Sequence, residues 1–206
     1  MPSLVKISPK LLKRIETLLA DAKPLGRDIP IVGEFEALCH TLGIQHIPTL
    51  YSHEFLSGEG AVSTHNAILL GPGFFMRGRV QQGFAVTHEL SHLLRGDVGM
   101  SKKVSELATD RVAVQIMGSK TAGIACVKEA ERSFYEYLAM FKLPETSFVG
   151  RWTNRLMDTL KTAQLKRQYG THAERLANIL ETDVADKSHV QRLVSEHNKR
   201  SFRSLP

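Results

Sequence analysis

Apolar residues recur every three or four positions along most of the chain, and the runs they form are separated at Gly and Pro. Leu11, Leu12, Ile15, Leu18 and Leu19, preceded by Ser8 and a first-turn Pro9, predict an amphipathic helix that ends at Lys23-Pro24-Leu25-Gly26. A second helix is expected from about Val32 to Leu42, stopped by Gly43. From Ile44 to Phe75 the period shortens. Ile47 to Tyr51 and Asn66 to Leu70 read as short strands, Ser57 to Gly60 as a turn or loop, and Gly60 to Thr64 as a candidate sheet edge. Helical spacing returns from about Arg79 to Leu94, closed by Gly96, and again from a Ser101 cap to Gly118. Further helices are expected over Thr121 to Phe141, Phe148 to Tyr169, Thr171 to Leu180 and from Ser188 onward, with the basic end Lys199 to Pro206 frayed. The pattern predicts an α+β fold, mainly helical, with a small antiparallel sheet and C-terminal packing helices.

A chain of 206 residues that is 42% hydrophobic can bury one good core but is short for two. The expectation is therefore a single domain over 1–206, with N-terminal helices (1–43), a central part (44–118) and a C-terminal helical part (119–206). No run approaches the roughly 18 apolar residues of a membrane span, since Gly71, Pro72 and Gly73 interrupt Ala67 to Met76. The first ten residues lack a signal-peptide core, so a soluble, cytoplasmic protein is expected. Cys39 and Cys126 sit far apart in apolar helical contexts and read as small hydrophobes. A net charge of +6 raises the question of nucleic acid or an anionic surface. The basic residues are scattered, only Lys199, Arg200 and Arg203 cluster, and no aromatic residues interleave with them, which points to a solvated surface and no nucleic-acid partner.

Chemistry concentrates in His88-Glu89-Leu90-Ser91-His92. Positions i and i+4 lie one above the other on a helix, so both imidazoles can reach one point. Neutral imidazole binds zinc at roughly 2.0 to 2.1 Å, and a catalytic site uses three protein ligands with one position open. Glu89, about 100° round the helix, can act as general base without ligating the metal. Ordinary surface or capping histidines are the other reading. The flanking Phe84, Ala85, Val86, Leu90, Leu93 and Leu94 argue against it, because they make this helix a buried one.

A third ligand is expected on the next helix, where Glu106 and Asp110 again stand four apart. Glu106 can complete the site and Asp110 can accept the outer N–H of a ligand histidine. A solvated acidic face, answered by Lys102, Lys103 and Arg111, is the alternative for this pair. His53 and His65 read as surface residues. In a metallopeptidase, the Gly60 to Thr64 edge can hold an extended peptide through backbone hydrogen bonds; a strand-capping loop is the alternative.

His88-Glu89-Leu90-Ser91-His92, Gly96-Asp97 and Glu106 to Asp110-Arg111 together resemble the gluzincin family of HtpX heat-shock proteases and CAAX prenyl proteases, over roughly Gly43 to Gly118. The resemblance implies a zincin-like domain with two zinc-bearing helices, one zinc ion held by His88, His92 and Glu106, Glu89 as base and Asp110 behind the ligands. Thr171-His172-Ala173-Glu174-Arg175 is similar to a further family stretch but lacks its prolines. On that likeness His172 would stabilise an oxyanion and Arg175 would pair with Asp110; otherwise Thr171 and Glu174 form a helix-capping box. No membrane segment intervenes between the histidines and Glu106, so the chain is similar to soluble minigluzincins, and prenylated or membrane-protein substrates lose their support. The implied activity is zinc-dependent hydrolysis of protein or peptide substrates. A regulatory partner-binding protein with a structural or latent zinc site is the alternative, and the oligomeric state is left open.

Overall fold

The computed structural model describes residues 19–54, 61–64, 66–96, 103–140 and 170–203, with single positions 13, 17, 154, 155, 159 and 163. The cap at Ser8, the Ser57 to Gly60 turn, His65, the cap at Ser101 and most of the expected helix from Phe148 to Tyr169 lie outside the described residues.

The described elements run β1 (Lys23–Pro24), α1 (Pro30–Leu42), β2 (Thr49–Ser52), β3 (Ala61–Thr64), β4 (Ala67–Leu70), α2 (Pro72–Phe75), α3 (Arg79–Arg95), α4 (Lys103–Met117), α5 (Lys120–Met140), α6 (His172–Glu181) and α7 (Ser188–Arg203). The chain is thus mostly helical with one small sheet, and no helix among the described residues is long and apolar enough to cross a membrane. Helix α1 starts two residues earlier than its apolar spacing suggests, because Pro30 at the first helical position needs no N–H partner.

The sheet corrects the antiparallel expectation. Its order is β1-β2-β4-β3, and β2 and β4 run parallel. The cause is the route of the chain: β3 takes the far edge first, and a two-residue connection then folds β4 back against it, antiparallel, into the gap beside β2. Strand β4 is buried at all four positions, which matches its uninterrupted Ala-Ile-Leu-Leu. Strand β1 is two exposed residues paired with β2, where the sequence suggests only a helix stop.

Two apolar clusters flank α3. One joins the sheet, α1 and α7 to Ala85, Val86, Leu90, Leu93 and Leu94; the other joins α4, α5 and α6 to Phe84. Each large side chain buried this way contributes about 1.5 to 3 kcal/mol. Helix α5 approaches closely at Gly123, where an added Cβ would lie 3.0 Å from both Phe84 and Val114 and 3.1 Å from Ile179. The buried hydroxyls of α3 are satisfied locally, Thr87 donating to Gly83 O at 2.7 Å and Ser91 to Thr87 O at 2.7 Å. Helix α3 closes at Gly96 in the left-handed region (φ 71°), whose N–H reaches His92 O and Leu93 O.

The fraying expected from Lys199 is corrected as far as Arg203; residues 204–206 lie outside the described residues. Helix α7 continues through Arg203, and Arg200 donates to Leu94 O at the end of α3, where a cation complements the helix dipole. Asn198 holds the end of α1, donating to Gly43 O at 2.9 Å and accepting from Gln45 N at 3.1 Å.

Candidate metal centre

Helices α3 and α4 lie side by side, and the register between them brings His88 and His92 opposite Glu106. The two imidazole centroids are 4.9 Å apart with ring planes at 80°. His88 Nε2 lies 3.3 Å from Glu106 Oε2, and His92 Nε2 lies 3.6 Å from Glu106 Oε1. Ligand atoms about 2.0 to 2.2 Å from one tetrahedral centre stand roughly 3.3 to 3.6 Å from each other, so this spacing fits a shared metal ion. These three residues form a buried group that can hold one.

The far sides of both rings fix which nitrogen faces the centre. Asp110 Oδ1 is 3.0 Å from His88 Nδ1, and an ionised carboxylate can only accept. Thr109 Oγ1 lies 3.3 Å from His92 Nδ1 while giving its own proton to Ser105 O at 2.8 Å, so towards His92 it too is an acceptor. Both protons are therefore assigned to Nδ1, and both Nε2 lone pairs point at the ligand cluster. Asp110 is fully buried and is held by Arg175 of α6 in a two-point grip, Nε to Oδ2 and Nη2 to Oδ1, both 2.7 Å.

Helix α6 delivers Arg175 from a capped start. Glu174 N donates to Thr171 Oγ1 at 3.1 Å, Thr171 N donates to Glu174 Oε2 at 2.8 Å, and Lys103 of α4 pairs with Glu174. The capping box and the Asp110–Arg175 pair, set out above as alternatives, coexist. His172 occupies the first position of α6, with Nδ1 3.7 Å from Glu131 Oε1 of α5, and is not a member of the ligand group.

Electrostatics follow the geometry. Burial opposes charge on His88, yet Asp110 and Glu106 outweigh it and raise its pKa. Burial also acts against Glu106, but the two imidazoles hold its carboxyl well below the usual range. Asp110 is lowered in the same way by Arg175, against its burial. Glu89 moves the other way: burial raises it, and His88, His92 and Ser63 only partly offset that. Fully ionised, Glu89, Glu106 and Asp110 carry three negative charges against the one positive charge of Arg175, an excess that suits a divalent cation. Burial pushes the Cys39 thiol up to about 12 and also raises Cys126, which disfavours the thiolate at both.

Two participants escape the sequence patterns. Thr109 had a signal, being three residues after Glu106 and so on the same face. Ser63 of β3 had none: its N–H donates to Glu89 Oε2 at 2.6 Å across a gap of 26 residues. The expectation that His53 is a surface residue is corrected, since it is 5% exposed, and its N–H extends the β2–β4 pairing to Leu70 O. Comparison with protein-family models, curated proteins and solved structures gave no match.

Proposed function

We propose that the chain is a metal-dependent peptidase of the gluzincin kind, with zinc as the preferred ion. What carries this reading is the convergence of His88 Nε2, His92 Nε2 and the Glu106 carboxylate, with Glu89 beside them and not among them. Bound by those three residues, zinc supplies a Lewis acid that makes water a nucleophile at neutral pH and polarises a carbonyl. Glu89, its pKa raised by burial, takes the proton of the attacking water on a carboxylate oxygen and returns it to the leaving amine. Asp110 and Thr109 keep the imidazoles in the tautomer that can ligate. Strand β3, the sheet edge among the described residues and packed against α3, offers outward backbone groups to an extended peptide. His172, held towards Glu131, is given no step.

Glu89, beside the three ligands and outside their group, favours this reading over a partner-binding regulator, whose structural site needs no base. The test compares wild type with His92→Ala, Glu106→Ala and Glu89→Gln. One zinc per chain by mass spectrometry is expected in wild type, lost or strongly weakened in the first two and retained in the third. Cleavage of a mixed peptide library is expected from wild type alone. A metal-free wild type after zinc is supplied, or a Glu89→Gln protein that cleaves at the wild-type rate, would overturn the proposal.

A further inference from the structure

A carboxylate one residue away from a zinc ligand has an alternative to acting as a base: it can swing onto the metal and close the open position. The structure contains a restraint against that. Strand β3 is the sheet edge, antiparallel to β4 with Ser63 opposite Ile68. Among the described residues its outer groups have no strand partner, yet Ser63 is only 8% exposed because α3 covers it. The Ser63 N–H, turned away from β4, donates to Glu89 Oε2 at 2.6 Å, a short bond of the charge-assisted kind. The Ser63 side chain, like its N–H, favours the ionised form of the same carboxylate. Any residue but proline supplies the N–H.

We propose that Ser63 is the positioning residue of the base: its N–H holds Glu89 on the β3 side, keeping the carboxylate free for proton transfer and out of the ligand group. The inference rests on the peptidase reading. It also links the peptide-binding edge to the base. With its N–H engaged by Glu89, Ser63 offers an incoming strand its carbonyl, and the remaining outward groups come from Ala61, two residues back on the same side.

The first measurement needs neither metal nor turnover. In chelator-treated protein, amide hydrogen exchange at Ser63 is expected to be slower by on the order of tenfold in wild type than in Glu89→Ala, because an outer-edge amide without its acceptor opens freely to water. Equal rates would overturn the proposal. The second uses the zinc-loaded protein. Ser63→Pro removes the N–H, which proline can do on the outer side of an edge strand, and Ser63→Ala keeps it. Ser63→Pro is expected to lower kcat by about 10 to 100-fold, with KM and zinc stoichiometry kept, and Ser63→Ala to lose less. Should Ser63→Pro not fold, the exchange comparison decides it alone. An unchanged kcat in Ser63→Pro, with the zinc-loaded wild type active, overturns the positioning role and leaves the peptidase reading standing. A wild type that takes up zinc and cleaves nothing overturns the peptidase reading, and the positioning role with it.

Discussion

Thr109 has one hydroxyl proton, and its commitment to Ser105 O turns the oxygen into an acceptor for His92. Thr109→Val keeps the shape and removes that acceptor, a lost hydrogen bond worth about 1 kcal/mol. Zinc affinity, read by competition with a chelating dye, is expected to weaken severalfold. Asp110→Asn takes away the charge that Arg175 grips and the acceptor charge behind His88, and about 10 to 100-fold weaker binding is expected. Unchanged affinity in both would remove these contacts from the centre. The two histidines and the two acids were readable in the sequence because helix pitch fixes i and i+4 on one face. Ser63 was not, since its relation to Glu89 depends on which strand takes the sheet edge.

Helix boundaries were readable wherever a backbone signal marks them: Gly43 and Gly96 end α1 and α3 in the left-handed region, and Thr171 with Glu174 opens α6. Strand direction was not. Four residues of Ala-Ile-Leu-Leu read the same beside a parallel or an antiparallel neighbour, and only the β3 detour decides between them. Packing distance was equally hidden. At Gly123 the missing side chain is what lets α5 approach α3, α4 and α6, and all three of its nearest neighbours are fully buried. Gly123→Ala is expected to destabilise the protein by about 1 to 3 kcal/mol through overpacking, despite the better helix propensity of alanine. Urea denaturation measures it, and an unchanged midpoint would mean that α5 can withdraw at no cost.

Helix α7 ties distant parts of the chain together, and one of its residues makes that tie sensitive to acid. His197 is buried against the Leu93 carbonyl, and burial, with Arg200 and then His46 beside it, holds its pKa below the ordinary value. The folded state thus prefers the neutral ring, while the unfolded chain takes up a proton near pH 6.5. Its contribution is complete above that pH and is lost as pH falls from there towards the depressed folded value. The drop in Tm between pH 7.5 and 5.5 is expected to be smaller in His197→Gln than in wild type, and an equal drop would clear His197 of that role.

The Asp110–Arg175 grip spans 65 residues, and the Arg200 contact with the end of α3 spans 106. His88, His92 and Glu106, by contrast, come from two neighbouring helices. As the chain leaves the ribosome, all three ligands emerge long before the guanidinium that neutralises Asp110 and the helix that closes over α3. If the centre takes up a metal as proposed, capture would be local, whereas the Asp110 and Arg200 contacts close large loops. Filling the centre and tying its helices would then be separate events, so a nascent or truncated chain could carry the ion while α3 is still untied.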